Sequence, residues 1–498
     1  MKLNYKRTIL VGMAFFLISA FWQAYDAIIP LILTNHFGLP QTASGAIMSI
    51  DNILAVFMLP IFGAISDKVC TRLGKRTPFI LVGTLAAVIA FVFLAVVDSF
   101  QVNALFEAGI GQRYDMAQAL LNEAKAALKA AEEAGNGALI NVCNANIEAI
   151  NATIDGIRKD ALALTIENAG ILITFIATLL VVLISMATFR SPAVALMPDV
   201  TVKPLRSKGN AIINLTGTAG GILVLALGMV FGTSKDLSMK FVGYALSVVS
   251  IMVLGLIIFL LTVKEKKWAS EMEEETRRLG LEDSDVAEDG NKRKLSRPEL
   301  ISLLLILASV ALWYIGYNSI TSKYSVYATN ILGFDFNFTL IIAQAAAIVS
   351  YIPVGIISSK IGRRKAILSG IVMLATAFFS GIFITSNSPE ILMYPVFILA
   401  GMGWATINVN SFPMVVELAK GGDVGKYTGY YYTASMSAQI VAPILSGLLY
   451  DLLGMRYVFF AFGTLFVALS FVTMFFVKHG DSKPIQSKSV LESIGTED

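Results

Sequence analysis

The sequence alternates between long apolar runs and shorter polar segments, and twelve runs are long enough to cross a bilayer. A transmembrane helix needs about 20 mainly apolar residues. The twelve runs are Ile9–Leu33, Ser44–Ile65, Phe79–Val97, Glu167–Phe189, Asn210–Gly232, Phe241–Val263, Leu300–Ile320, Phe338–Ser358, Ala366–Thr385, Ile391–Val416, Tyr427–Leu449 and Tyr457–Val477. The pattern predicts an all-α membrane protein with twelve transmembrane helices.

A polar insert of residues 98–165 follows the third run and is rich in Ala, Asn and Glu. Tyr114, Leu120, Leu121 and Leu128 recur at rough helical spacing, and the segment 135–137 reads Gly-Asn-Gly. These features predict an extracellular helical hairpin that is broken near residue 135. It would serve as a spacer or lid on the outer rim, or as a domain that binds a partner or captures substrate.

A second polar segment, residues 264–298, carries charges of both signs and separates six runs from six runs. It predicts a short amphipathic helix followed by a flexible cytoplasmic linker. The implied organisation is an N-terminal half, this linker, a C-terminal half and a polar tail, at 1–263, 264–298, 299–478 and 479–498. Without the insert the halves are about equal in length, as expected of a transporter built from repeats.

Composition supports a lipid environment, since 56% of the residues are hydrophobic, 15% are charged and the mean hydropathy is +0.72. Most of the 38 Lys and Arg residues fall in segments that are cytoplasmic if the N-terminus is cytoplasmic. The positive-inside rule therefore places both termini in the cytoplasm of a multi-pass protein of the plasma or inner membrane. The net charge of +3 is too small to suggest nucleic acid.

The sequence gives no sign of an enzyme, because it lacks a nucleophile–base set and a phosphate-binding loop. Its two cysteines, Cys70 and Cys143, do not imply a disulfide framework, and His36 and His479 lie outside the apolar runs. We therefore expect no metal and no cofactor, and the coupling ion would be a proton. The expected partners are the lipid bilayer and a small neutral sugar, bound by a monomer.

Two carboxylates, Asp26 and Asp51, lie within the first and second apolar runs. No Lys or Arg is expected at comparable depth, so neither acid has a predicted counter-ion. Acids in membrane helices usually serve transport, and an unpaired one can bind and release a proton. Both are candidates for proton coupling. The alternative is a solvated acid at the mouth of a helix, since Asp51 lies about two turns from the outer end of its run.

Substrate-binding candidates begin with Trp22 and Asp26, which share one helix face, with Gln23 beside them. An aromatic ring can stack on the apolar face of a sugar while a carboxylate accepts its hydroxyl protons. Further polar or aromatic residues within the runs are Asn52, Asn214, Tyr314, Tyr317, Asn318, Gln344, Trp404, Asn408, Asn410, Tyr431 and Gln439. They are mostly neutral, which favours an uncharged, hydroxyl-rich substrate. Any one of them could instead be a hydrogen-bonding residue of helix packing.

The stretch from residue 51 to 78 ends in a glycine-bearing helix exit and a basic turn, and a weaker copy occurs near residue 360. Such contacts between helices could form a latch that breaks when the two halves move, or they could be simple topology signals. The candidate gating residues are Gly63, Asp67, Arg72, Gly74, Arg76, Asp199, Gly355, Gly362 and Arg363. In the second copy Ser359 replaces Asp67, so that latch should be weaker.

Twelve runs, a charged central linker and a duplicated Gly-x-x-x-Asp-type turn resemble the major facilitator superfamily. The longer first turn, from Arg72 to Pro78, is similar to that of sucrose transporters and glycoside–pentoside–hexuronide:cation symporters. The resemblance implies that Asp199 matches an acid of that group, and Asn210 an asparagine that enters the fifth helix.

The chain also departs from that group. Ala55 and Leu59 stand where sodium-coupled melibiose carriers have paired aspartates, and Asp51 lies one turn earlier, which favours a proton over sodium. Val194 stands where plant-type sucrose carriers have an arginine, and Arg190 lies one turn earlier. Maltose or another glucoside is therefore as good a candidate as sucrose.

The function expected from the sequence is proton-coupled symport of a disaccharide or other glycoside by alternating access. One alternative is an exporter or antiporter of another organic solute. The other is a sugar sensor that has the same fold but does not transport.

Overall fold

The computed structural model describes residues 3–202, 205–234, 240–278, 296–418 and 424–480. These residues form helices and connecting loops. The helices are α1 (Tyr5–Leu31), α2 (Gln41–Met48), α3 (Ile50–Lys68), α4 (Thr77–Glu107), α5 (Ile110–Glu133), α6 (Gly137–Glu167), α7 (Ala169–Asp199), α8 (Arg206–Phe231), α9 (Val242–Thr262), α10 (Glu265–Arg278), α11 (Arg297–Thr321), α12 (Tyr324–Val326), α13 (Phe336–Ile361), α14 (Arg363–Gly381), α15 (Met393–Val416), α16 (Val424–Leu453) and α17 (Met455–Phe475).

Eleven stretches of helix in the described residues are long and apolar enough to cross a membrane. The remaining predicted run, Phe338–Ser358, corresponds to α13, whose apolar part is Phe336–Tyr351. The second crossing consists of α2 and α3, which meet at Ser49. The helical membrane fold predicted from the apolar runs is confirmed.

Two predicted helix ends are wrong because polar residues pack inside the protein. The third run was expected to end at Val97, but α4 continues to Glu107, and Asp98 and Gln101 are fully buried. The fourth run was expected to end at Phe189, but α7 continues to Asp199 with Pro192 inside it. Neighbouring helices can satisfy the backbone groups that a proline leaves free.

The insert predicted at residues 98–165 begins with the last turns of α4, and the rest of it is a helical hairpin of α5 and α6, joined by a short turn at residues 134–136. Gly135 has a φ of +65° there, a conformation that glycine adopts without strain. Tyr114, Leu121, Leu128 and Ile147 belong to a small apolar core of the hairpin that is separate from the main core. The hairpin and its break therefore agree with the sequence pattern.

The two six-helix halves approach each other most closely on the side of the hairpin, which we call the insert side. A Cβ added at Gly45 of α2 would lie 2.1 Å from the carbonyl oxygen of Pro443 in α16. At the end of α16, the Asp451 carboxylate accepts hydrogen bonds from the backbone N–H groups of Gln41 and Thr42, at 2.8 and 2.7 Å. Close backbone approach and a charged helix cap together hold the halves shut on this side.

The opposite side, which carries the N-terminus and α10, is called the terminus side. Along α8 and α13, Gly228 lies against Asn337 and Gly221 lies against Gln344. Nearer the terminus side, a Cβ added at Gly355 of α13 or Gly429 of α16 would meet nothing within 4 Å. Among the described residues, the halves are therefore packed against each other on the insert side, and there is open space beside Gly355 and Gly429 nearer the terminus side.

The predicted amphipathic helix of the linker is α10 (Glu265–Arg278). Trp268 is buried, and Arg7 of α1 lies over its ring at 5.2 Å while pairing with Glu271 at 2.6 Å. The predicted flexible part of the linker and the polar tail lie outside the described residues.

Candidate functional site

Asp26 lies on the face of α1 that looks into the space between the halves. Its neighbours Tyr25 and Ala27 are buried, whereas Asp26 itself is exposed. Its carboxylate interacts electrostatically with Asp51 and Arg190 of the N-terminal half and with Tyr317 of the C-terminal half. Asp26 therefore faces the interior cavity and not the surrounding lipid.

Asp51 lies in the first turn of α3, two residues after the break at Ser49. Asn52 donates a hydrogen bond to its carboxylate at 2.7 Å. Asp51 lines a narrow cavity with Trp22, Arg190 and the apolar side chains Ala55, Leu59, Leu183 and Ala187. The broken helix thus places this acid within the bundle, close enough to Asp26 for the two carboxylates to interact electrostatically.

Arg190 is the counter-ion that the sequence analysis did not foresee. Its guanidinium group interacts electrostatically with both Asp26 and Asp51 and lies 5.3 Å from the centre of the Trp22 ring. The expectation that no basic residue lies at the depth of the acids is therefore wrong. It failed because α7 does not end at Phe189, so Arg190 remains in the helix and points at the acids.

The opposite wall of the space is aromatic. Tyr317 of α11 and Trp404 of α15 stack face to face, with centroids 3.6 Å apart and ring planes 3° apart. Tyr314 packs its edge against Trp404 at 5.3 Å, and Tyr431 of α16 shares a 2.9 Å hydrogen bond with Ser411. These side chains form an aromatic platform that carries the hydroxyl groups of three tyrosines, a surface that suits a ring-shaped polar solute.

Gln23 and Gln344 join the two walls. The Gln344 side-chain amide donates to the Gln23 oxygen at 2.5 Å, and both lie beside Gly221. The predicted residues Trp22, Gln23, Asp26, Tyr317, Gln344 and Trp404 therefore come together in one region. Arg190 covers one face of the Trp22 ring, and Tyr317 and Trp404 cover one face of each other, so a substrate would stack on an outer face of these rings.

The remaining predicted binding residues are occupied mainly within their own helices. The side-chain amides of Asn214, Asn318, Asn410 and Gln439 each donate to a backbone carbonyl four residues earlier. Asn408 is half-buried on α15. These bonds are the ones expected of residues that support helix geometry.

The first predicted latch is a cluster around Arg76. Its side chain donates to Asp199 at 2.7 Å and also binds Asp67 and Ser66. Gly63 lies close to Ser191 of α7, and Arg72 is exposed. All these residues belong to the N-terminal half, so the cluster joins the terminus-side ends of α3, α4 and α7 to one another.

Glu265 completes this cluster, although the sequence analysis did not identify it. Its carboxylate is buried and accepts hydrogen bonds from the backbone N–H groups of Lys75, Arg76 and Thr77, at 2.6 to 2.8 Å. Gly74 has a φ of +123° and lies against the same carboxylate. An acid at a helix N-terminus is electrostatically favourable, so α10 is fastened to the start of α4.

The second latch has simpler geometry. Arg363 lies 3.4 Å from Glu417, and Gly362 has a φ of +93° between α13 and α14. A Cβ added at Gly355 would meet no heavy atom within 4 Å. The Ser359 side chain lies outside the described residues, so the comparison with Asp67 stays a prediction.

His36 and Asp98 form a further polar pair that the sequence analysis missed. The His36 Nδ1 atom lies 2.6 Å from the Asp98 carboxylate, and both side chains are buried. Gln101 donates to the His36 carbonyl oxygen at 3.0 Å and to Thr165 of α6 at 2.9 Å. This network ties the base of the hairpin to α1. Among the described residues, no group of three or more His, Cys, Asp or Glu side chains is placed to hold a metal ion.

Comparison with known proteins gives two family matches. A model described as Major Facilitator Superfamily matches residues 161–440 and, in an overlapping match, residues 342–493. A model described as MFS/sugar transport protein matches residues 10–109. A stretch of 114 residues is 30% identical to the MFS-type transporter ppzB of Metarhizium rileyi, and this stretch covers 23% of each chain. The same protein of Metarhizium majus matches at 30% identity over 23% of this chain and 24% of its own length.

Solved structures of similar fold cover almost the whole chain. The inward-open xylose transporter XylE from E. coli has a TM-score of 0.61 at 12% identity, with 98% of this chain and 99% of that chain covered. A POT family transporter in complex with 5-aminolevulinic acid also has a TM-score of 0.61, at 11% identity, with 94% and 95% covered. At these identities the likeness establishes the fold. Together with the family match over more than half of the sequence, it establishes that the chain belongs to the major facilitator superfamily and is a transporter, not an enzyme.

Proposed function

We propose that the protein is a proton-coupled symporter of a small sugar, such as a disaccharide or other glycoside. The observation that carries this proposal is the arrangement of two carboxylates around one guanidinium group, opposite an aromatic platform. Asp26, Asp51 and Arg190 together carry one net negative charge when both acids are ionised. One proton neutralises the group, and a neutral group is moved through a low-dielectric interior at much lower cost.

The steps follow from this balance of charge. With the insert side open, a proton binds the pair of acids and a sugar binds between Gln23, Gln344 and the Tyr317–Trp404 stack. The halves then close on the insert side, which the contacts of Gly45 and Asp451 support, and open on the terminus side. Sugar and proton leave there, and the empty carrier returns. This cycle treats the insert side as external and both termini as cytoplasmic, in a monomer of the cell membrane.

The test of the coupling role uses Asp51→Asn in reconstituted proteoliposomes. A sugar gradient should drive proton uptake in the wild type, whereas the variant should neither accumulate sugar nor move protons. Exchange of labelled for unlabelled sugar should persist, because it does not require the return of an empty carrier. Asn214→Ala, which removes an exposed amide on α8, serves as the control. Accumulation by Asp51→Asn at the wild-type level would remove Asp51 from the mechanism.

Arg190 also supports a second candidate, an exporter or antiporter of a charged organic solute. A guanidinium beside two carboxylates can bind a zwitterion as well as position a proton. Proton fluxes measured in the same proteoliposomes separate the two candidates. A symporter takes up protons with the solute, whereas an antiporter releases them against it.

A further inference from the structure

Lys323 is a fully buried lysine at the junction of the two halves. It follows α11 and has an exposed fraction of 0%. Its ammonium nitrogen donates a hydrogen bond of 2.6 Å to the hydroxyl of Ser44 in α2, which is also fully buried. An ammonium group has three donors and is strongly hydrated in water, so burial against one hydroxyl is unfavourable for the charged form.

The charges around Lys323 do little to offset this cost. Asp451 is the carboxylate that acts on it, but both Asp451 oxygens already accept hydrogen bonds from Gln41 and Thr42. Helix α2 has no charged side chain, and the titratable side chain of α12 is that of Tyr324. Two carboxylates later in the sequence, Asp335 and Glu390, interact electrostatically with Tyr324. Burial lowers the pKa of Lys323 to about 7, with Asp451 opposing that change.

The contact of Lys323 belongs to the surface that must separate during transport. Ser49 of α2–α3 binds the carbonyl oxygen of Ile440, and Asn35 and Asn330 exchange two amide hydrogen bonds of 3.2 and 2.7 Å. These contacts and the Asp451 cap all join the N-terminal half to the C-terminal half on the insert side. We call this set of contacts, with the Lys323–Ser44 bond, the insert-side gate. Opening it would expose Lys323 to water.

We propose that Lys323 makes the insert-side gate dependent on protons, because its ammonium group must give up water or a proton before α2 can close over it. This role is separate from the Asp26–Asp51 group, which faces the central space. It rests on the proposed alternating movement of the halves, but not on the identity of the substrate or of the coupling ion.

The direction of the effect follows from the two protonation states. In the open gate a hydrated lysine titrates at about 10.4. In the closed gate it titrates at about 7. Between these values the open state binds one more proton, so raising the pH favours closure by up to about tenfold per pH unit. Below about pH 7 both states are protonated and the dependence levels off.

The experiment measures distances between spin labels on the two halves by pulsed electron paramagnetic resonance. Labels at Asn168→Cys and Leu453→Cys, both exposed positions, report on the gate after Cys70→Ser and Cys143→Ala remove the native thiols. The protein also carries Asp26→Asn and Asp51→Asn, so that those acids do not contribute to the pH profile. Failure of the proposed proton coupling would therefore leave this result unaffected.

When Lys323 is present, the fraction of molecules with a long distance between the two spin labels should fall as the pH is raised from 7 to 9. Lys323→Met should be closed and insensitive to pH, and Lys323→Arg should favour the open gate at every pH. Lys360→Met removes an exposed lysine at the far end of α13 and should keep the original profile. The proposal would be overturned if the fraction of open molecules in Lys323→Met or Lys323→Arg changed with pH as steeply as it does in the parent protein.

Discussion

In the proposed mechanism, Arg190 would determine how many protons the two acids exchange. The positive charge of Arg190 offsets one of the two negative charges of Asp26 and Asp51, so one proton from solution is enough to neutralise the group. Without it, the same carboxylates would need two protons to reach neutrality. If the proposed coupling holds, the number of coupled protons depends on all three residues and not on either acid alone.

This balance predicts a rescue by a second mutation. Arg190→Gln should abolish sugar accumulation, because the acids are left with two negative charges in an interior of low dielectric. Asp26→Asn combined with Arg190→Gln restores the original balance of one negative charge that one proton can neutralise. We expect the double variant to regain part of the sugar-driven proton uptake, measured with a pH-sensitive dye inside vesicles.

The control for this rescue is Arg190→Gln combined with Asp199→Asn, which removes a carboxylate of the Arg76 cluster instead. That pair has the same total charge but leaves both central acids in place, so it should stay inactive. Equal recovery in both double variants would show that overall charge, and not the local balance, accounts for the rescue.

At the scale of elements, α10 links the chain between the halves to the membrane helices. Glu265 caps the first turn of α4, and Trp268 and Glu271 hold Arg7 of α1. The linker helix is therefore attached to the N-terminal half, and it holds the basic turn from Gly74 to Thr77 in shape.

The loss of this cap should lower stability. Glu265→Ala removes a charged acceptor from three backbone N–H groups, two of them in buried hydrogen bonds, and hydrogen bonds to charged groups contribute about 1.5 to 3 kcal/mol each. Part of that cost is recovered when water enters, so we expect a loss of about 2 to 4 kcal/mol. Urea unfolding in detergent, followed by tryptophan fluorescence, measures this difference.

The matched control is Glu273→Ala, which removes an exposed carboxylate from the same helix. It should change the free energy of unfolding by less than about 0.5 kcal/mol. A similar small effect of Glu265→Ala would mean that water replaces the cap without cost.

Local sequence pattern predicts several of these elements but not the ones that depend on distant partners. The apolar runs, the hairpin turn near Gly135 and the amphipathic α10 follow from local pattern, and all are present. The extension of α7 to Arg190 was missed because Pro192 and nearby polar residues resemble a helix end. It depends on packing against other helices, which no local window contains. Glu265 and Lys323 were missed for a related reason, since their partners lie far away in the sequence.

At the scale of the whole molecule, the hairpin contacts both halves on the insert side. Gly38 of the N-terminal half lies against the backbone of Arg158 and Leu162, and Thr165 binds Gln101. Toward the C-terminal half, Asn144 accepts a hydrogen bond of 3.1 Å from Asn387. The buried bonds all lie on the N-terminal side, so the hairpin should move with the N-terminal half and leave Asn387 when the gate opens.

Cross-linking tests this assignment. Asn144→Cys and Asn387→Cys, joined by a short bifunctional maleimide after removal of Cys70 and Cys143, should trap the closed gate and stop sugar uptake. Cleaving a reducible form of the linker should restore it. The control joins Arg113→Cys to Asp160→Cys, whose native side chains pair at 2.8 Å within the hairpin. That link fastens α5 to α6 without reaching the C-terminal half, so transport should continue. If uptake also continued with residues 144 and 387 joined, the hairpin could not be part of the moving N-terminal body. It would then be a spacer that yields as the halves separate, since the buried His36–Asp98–Gln101 network would not transmit the movement of α1 to it.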